Sequence, residues 1–199
     1  MNKMEDLEIS SLKGKEILSF IDKLAQLRMT VFKEYPYLYD GDFVYEQKYL
    51  RTYSQCDESV LIIVRMNDEI IGASTAIPLA FETAECQKPF IENQLSVSDI
   101  FYFGESVLLP EYRKKGVYSH FFSQREKAAK HYGAKQSAFC AVVRDPNDKR
   151  RPKDYVPLDE VWRHFGYEIQ PNLCAYYDWK EIEQSEQTTK PMAFWMKNL

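Results

Sequence analysis

The segment from Ile100 to Val143 constrains this chain more than any other, because it reads without interruption as strand, basic turn, helix and strand. Ile100 to Leu109 has the length and the aromatic and β-branched content of a buried strand, and Pro110 ends it because proline cannot donate to a ladder. Arg113, Lys114 and Lys115 follow and lead directly into Gly116. From Gly116 a helical period begins, with Val117, Phe121, Ala128 and Tyr132 on one face and Lys127 and Lys130 on the other. A second apolar strand, Ala138 to Val143, closes the unit.

The basic turn therefore stands at a helix N-terminus, where backbone N–H groups lack intrahelical partners and the dipole favours negative charge. A glycine that admits close approach there, beside three cations, makes an anion site, and the natural ligand is a phosphate or pyrophosphate. A solvated basic turn with a glycine bend is the plain alternative. The surrounding strand–helix–strand crossover favours the anion site, since ligands of such units sit beyond the carboxyl ends of the strands.

The run Leu108-Leu109-Pro110-Glu111-Tyr112-Arg113-Lys114-Lys115-Gly116-Val117-Tyr118 resembles the acyl-CoA-binding signature of the GNAT N-acetyltransferase superfamily. That signature is a hydrophobic strand, a proline, then Arg/Gln-x-x-Gly-x-Gly/Ala. Arg113 and Gly116 fit it, whereas Tyr118 replaces the last small residue and has to turn aside for a pyrophosphate to pass. The resemblance implies an α/β fold with a mixed, mostly antiparallel sheet of six to seven strands flanked by helices. A V-shaped splay between the two central parallel strands is part of it. It implies acetyl-CoA as co-substrate in that splay, with the backbone of Val107 and Leu108 on the pantetheine arm. Arg113, Lys114, Lys115, Gly116, Val117, Tyr118 and Ser119 would then surround the pyrophosphate.

The acceptor implied is the primary amine of a small molecule or peptide, and the protein a monomer or homodimer. An amine must be neutral to attack, and one with a pKa near ~10 is mostly protonated at neutral pH, so a base is needed. Glu105 is the candidate, beside Gly104, where a bulge would aim it at the cleft. A carboxylate held in a structural hydrogen bond is the alternative for Glu105. Leu158 to Phe165 reads as a short helix stopped by Gly166, and it resembles the second GNAT signature, in which a tyrosine commonly protonates the CoA thiolate. Trp162 stands at that position and cannot do so, which leaves Tyr155 and His164 as candidate acids.

The remaining chain fits around this unit. Residues 1 to 13 are a polar lead-in with a first strand around Leu7 to Ile9, and helical spacing runs from Lys15 to Phe32. Tyr35, Tyr37 and Tyr39 are candidate substrate-cleft residues, being flat apolar bodies with polar tips that serve a cleft or a sheet edge equally well. A second helix spans about Tyr45 to Gln55, and Ser59 to Arg65 with Ile70 to Leu79 read as a hairpin. Residues 82 to 99 form an insertion with a short helix beginning near Pro89, and the loop from Arg144 to Tyr155 offers Arg150 and Arg151 to an acidic ligand. Leu173 to Trp179 and Lys190 to Met196 read as the last two strands.

At 199 residues with a net charge of -4, the chain is expected to be one domain over 1–199 and no general nucleic-acid binder, since such affinity needs surplus cations. No apolar stretch has the length to span a bilayer, and the first residues lack an apolar signal core, so the expected address is the cytoplasm, away from membranes. Cys56, Cys86, Cys140 and Cys174 show no paired spacing and read as free thiols. His120, His131 and His164 have no metal-ligand spacing, so no metal is expected. A rival reading keeps the fold without the chemistry, as a non-catalytic acyl-CoA-binding or regulatory module or an interaction domain.

Overall fold

A computed structural model describes residues 7–199. Seven strands form one sheet in the order β1-β2-β3-β4-β5-β7-β6. They are β1 (Leu7–Lys13), β2 (Val60–Met66), β3 (Glu69–Pro78), β4 (Ile100–Leu108), β5 (Gln136–Val142), β6 (Glu168–Lys180) and β7 (Gln187–Asn198). Every pairing is antiparallel except that of β4 with β5. That parallel pair is joined only from Ile100 to Tyr102 against Gln136 to Ala138, after which the two strands part. The mixed sheet with a central splay is thus present as expected.

Helices α1 (Ile21–Phe32), α2 (Phe43–Ser54) and α3 (Ala84–Glu92) cover one face, where Leu50, Tyr53 and Phe90 pack with Tyr102 and Phe194. Helix α4 (Val117–Tyr132) and the short α5 (Asp159–His164) cover the other, where Phe121 and Phe122 meet Phe101, Phe103, Tyr167 and Trp195. Along β4 the alternation of a strand is plain: Ile100 and Tyr102 join the first cluster, Phe101 and Phe103 the second.

That alternation then breaks. Ser74 of β3 faces Ser106 and Ala76 faces Phe103, so Thr75 alone opposes Gly104 and Glu105. One extra residue shifts the phase of a strand and sends its later side chains to the opposite faces. Val107 accordingly packs with the α1–α3 cluster and Leu108 with the α4 cluster, the reverse of what an unbroken strand would give.

Several boundaries differ from the sequence reading. The spacing from Lys15 to Phe32 predicts one helix, but Gly14–Phe20 is a 3-10 segment and α1 starts at Ile21. The Ser19 hydroxyl occupies the Glu16 carbonyl at 3.0 Å, a local bond that competes with the helical ladder. The insertion helix starts at Ala84 rather than near Pro89, because Thr83 caps it through the Cys86 N–H. The first strand extends to Lys13, and residues 1–6 of the lead-in lie outside the described residues. Strands β6 and β7 are longer than their apolar runs, and Pro171 falls where the β6 register shifts between Ile169 and Cys174. Among the described residues no helix is long and apolar enough to cross a membrane.

Phe121 is fully buried between α4 and the sheet. Phe121→Ala should lower unfolding free energy by about 3–5 kcal/mol in denaturant titration, and a change under about 1 kcal/mol would show that α4 does not anchor this face.

Candidate active site

The turn before α4 has the backbone that an anion site requires. Lys114 and Gly116 both lie in the left-handed region, at φ +62° and +80°. A Cβ added at Gly116 would meet nothing within 4 Å, so the helix N-terminus opens onto free space. Lys115 leans over the Tyr112 ring, 5.2 Å from its centroid. Arg113 is already engaged: its Nε donates to the Leu108 carbonyl at 3.0 Å and its Nη1 to Glu34 Oε2 at 2.8 Å. Ser119 turns both its N–H and its hydroxyl onto the Gly116 carbonyl, at 3.2 and 2.7 Å.

The Tyr118 side chain is turned onto α5 and Phe122. Trp162 Nε1 donates to its hydroxyl at 3.1 Å, and its ring packs edge-on against Phe122 at 5.3 Å. The two departures from the GNAT signatures, one on α4 and one on α5, are therefore in contact. Val107 and Leu108 pair with Ala73 and Gly72 of β3 on one side only, because β5 has already splayed away on the other.

Across the sheet, the bulge places Glu105 on the α1–α2 face. Arg28 Nη1 of α1 binds Glu105 Oε2 at 2.5 Å while its Nε binds Glu46 of α2. The guanidinium lies 5.1 Å from the Phe32 ring centroid and 4.8 Å from that of Tyr49. Glu105 is only 4% exposed, and its Oε1 has no hydrogen-bond partner among the described residues. Burial raises the Glu105 pKa, Arg28 opposes that rise, and Glu46 adds to it. Burial also opposes the charge on Arg28, but Glu105 and Glu46 outweigh it and keep the guanidinium ionised.

The tyrosine-rich loop between α1 and α2 is tied down beside the splay. Tyr35 meets Tyr155 edge-on at 4.7 Å, which brings a predicted cleft residue against a predicted acid, and Arg151 lies over the Tyr155 ring at 5.5 Å. Tyr37 packs on Phe32 at 4.6 Å, and its carbonyl accepts from Arg144 Nη2 at 2.8 Å and from Trp179 Nε1 at 3.1 Å. Burial raises its phenol pKa. Tyr39 bridges to Glu181, and its hydroxyl accepts from the Asp42 N–H at 3.3 Å. Buried Glu181 collects Arg144 and Arg150, both at 2.5 Å, so Arg150 is already engaged within the chain. His164 is exposed at the end of α5 and packs on Phe165, apart from this cluster. Cys140 touches the Tyr102 hydroxyl at 3.1 Å, and burial pushes its thiol up to about 12, so it stays protonated.

Reading for apolar periodicity passed over Arg28, Glu46, Tyr53, Thr75, Glu82 and Glu181. Two of them left a signal: Arg28 interrupts the buried face of α1, which carries Leu24 and Leu27, and Glu46 sits in line with Leu50 and Tyr53 on α2. A charge on a buried helix face needs a partner, and here the two are each other's.

Solved structures with this architecture are numerous but distant. The chain is similar to yncA of Salmonella typhimurium, held to be an acetyltransferase and solved with its cofactor acetyl-CoA, at TM-score 0.60 and 9% identity over 98% of this chain and 95% of that one. It is similar also to ribosomal-protein-alanine N-acetyltransferase from Brucella melitensis, at TM-score 0.60 and 10% identity over 96% and 99%. An acetyltransferase of the GNAT family from Streptococcus pneumoniae gives TM-score 0.57 and 11% identity over 97% and 99%. The fold is the GNAT fold. No family model and no curated protein matches the sequence. Within that fold, the open glycine turn lies at the α4 N-terminus, and the Arg28–Glu46–Glu105 cluster lies on the α1–α2 face of the sheet.

Removing Arg28 leaves two buried carboxylates without their cation. Arg28→Met should cost about 3–5 kcal/mol at neutral pH. An uncompensated carboxyl has a folded pKa above its unfolded one, so the deficit should shrink as pH falls and the carboxyls take protons. Urea melts across pH check this, and a deficit that is constant with pH would contradict it.

Proposed function

We propose that this chain is an acetyl-CoA-dependent N-acetyltransferase acting on the primary amine of a small molecule or peptide. The observation that carries the reading is the bulge at Gly104 and Glu105, which turns a buried carboxylate with a raised pKa onto the α1–α2 face, close along β4 to the splay. The fit to the co-substrate rests on the left-handed Gly116 and the empty space its missing side chain leaves at the α4 N-terminus. Backbone groups of Lys115, Gly116 and Val117 would hold the pyrophosphate, with Lys114 adding charge, and the β4 edge at Val107 and Leu108, where Arg113 already occupies the Leu108 carbonyl, would face the pantetheine arm. The co-substrate supplies an activated acetyl thioester.

The protein's part is to hold the two reactants in register and to remove a proton from the amine. Glu105 does the second. Its raised pKa brings its basicity closer to that of the amine, and Oε1, buried and without a hydrogen-bond partner among the described residues, is the oxygen that would take the proton while Arg28 holds Oε2. Tyr35, Tyr37 and Tyr39 sit on the loop that closes the acceptor end, with Tyr155 against Tyr35 as the acid candidate in contact with that loop. The likeness to acetyltransferases solved elsewhere supports the reaction class, and the surplus of carboxylates over cations around Arg28 supports a cationic acceptor.

Calorimetry with acetyl-CoA should show binding by the wild type, weakened by about tenfold or more in Gly116→Trp, whose side chain would fill the approach to the turn and strain a left-handed backbone. Glu105→Gln should keep acetyl-CoA affinity and lower kcat/KM for the amine by roughly 10²–10³. The wild-type rate should fall with decreasing pH through a pKa above the ordinary carboxylate range, because the base works only when deprotonated. Binding without turnover would instead mark an acyl-CoA-binding module, and absence of binding would end both readings.

A further inference from the structure

Arg125 is the one ion on the buried face of α4, which otherwise carries Val117, Phe121, Phe122 and Ala129. It is 3% exposed. A buried cation ordinarily has a carboxylate beside it, because taking a charge out of water is costly unless it is paired. None of the described residues supplies one. The neighbouring Glu126 carboxylate takes Lys197 Nζ at 2.8 Å and the Tyr167 hydroxyl at 3.3 Å instead.

Arg125 Nε donates to the Phe121 carbonyl at 3.2 Å, and the guanidinium carbon lies 4.4 Å from the Phe103 ring centroid and 4.9 Å from that of Phe122. Nη1 and Nη2 bond nothing among the described residues. Glu105 Oε1 is the one fully enclosed side-chain nitrogen or oxygen among those residues that lacks a partner, so the two Nη atoms still reach an opening.

What the guanidinium touches places that opening. Helical side chains lean towards the N-terminus of their helix, and the bond to the Phe121 carbonyl carries this one a full turn back towards Gly116. Phe103 beneath it is the last β4 residue before the bulge, and the pairing of β4 with β5 ends one residue earlier, at Tyr102. The guanidinium therefore stands under α4 at the narrow end of the splay, and Glu105 lies two residues along β4 on the opposite face. Tyr118 and Glu126 from α4, Tyr167 before β6 and Glu105 from β4 are the titratable groups around it. Burial lowers the Arg125 pKa and these groups oppose the fall, so the guanidinium remains a cation.

On the proposed reading of the splay as the acyl-CoA site, on which this inference rests, the donor arm arrives from the α4 side and the amine from the Glu105 side. We infer that Arg125 receives the CoA sulfur as a thiolate when the acyl group leaves it. The amine nitrogen bonds to the acyl carbon and gives its proton to Glu105. The carbon–sulfur bond breaks with its electron pair on sulfur, and the Nη–H groups of Arg125 donate to that sulfur without losing a proton. CoA departs as the thiolate and takes its proton from water. With the charge met in this way, the step needs no proton from Tyr155.

Calorimetry with free CoA and with desulfo-CoA, each in two buffers of different ionisation enthalpy, counts the protons released on binding. A thiol beside a guanidinium titrates at about 3.5–7.5 rather than about 8.5, so the wild type should release about half a proton or more per CoA at pH 7.5 and none with desulfo-CoA. Affinity for CoA should therefore rise with pH, relative to that for desulfo-CoA, until the free thiol itself ionises. Arg125→Met should abolish the release and leave desulfo-CoA binding unchanged, and Arg125→Lys, which keeps the charge, should retain the release in part. Where Arg125→Met fails to fold, the wild type and Arg125→Lys carry the test. Equal proton release with CoA and desulfo-CoA, or a release that survives in Arg125→Met, would overturn the role of Arg125 and leave the co-substrate site standing. A wild type that binds neither compound would overturn both.

Discussion

Everything distinctive in this molecule depends on one extra residue in β4. Thr75 stands opposite two residues, Gly104 and Glu105, and the phase of the strand changes there. Before the change, β4 is an ordinary central strand with Phe101 and Phe103 under α4 and Tyr102 under the other helices. After it, Glu105 is delivered to the α1–α2 face and the ladder to β5 has ended. The bulge and the splay are neighbours along the same strand, so the candidate base and the space for an extended ligand arise together.

Burial of charge follows from that placement. Glu105, Glu46 and Glu82 are all more than nine-tenths buried, while Arg28 is the guanidinium that bonds the first two. Glu82 is satisfied by two tyrosine hydroxyls and a backbone N–H, a neutral set of donors. Burial raises the Glu105 pKa, Arg28 pulls it back and Glu46 adds to the rise. Gly104 belongs to the same arrangement, since any side chain there would collide with the hydroxyls that line it.

The strands and the α4 turn were legible because periodicity and proline and glycine punctuation report them directly, whereas the mixed sheet and its splay came only with the resemblance to the GNAT signature. The Gly116 signal was read correctly as a backbone feature, since a left-handed glycine before a helix has few other uses. The bulge beside Glu105 was legible because Gly104 suggested it. Arg28, Glu46 and Glu82 come from α1, α2 and the connection to α3, and no spacing rule links segments that far apart in sequence. The engagement of Arg113 by Glu34 and of Arg150 by Glu181 was hidden for the same reason: a cation's partner is a property of the fold. Tyr118 and Trp162 looked like two independent departures from the GNAT signatures and are one contact.

The central claim is that the opened edge of β4 and the α4 N-terminus together receive an acyl-CoA. Amide hydrogen exchange with and without acetyl-CoA tests it most directly, because it reads the backbone groups themselves. The account predicts slower exchange on binding at Val107 and Leu108 and at Lys115 to Val117, with β1 and β2 unchanged. Binding that leaves these amides unprotected, or protects a different face of the molecule, would contradict it.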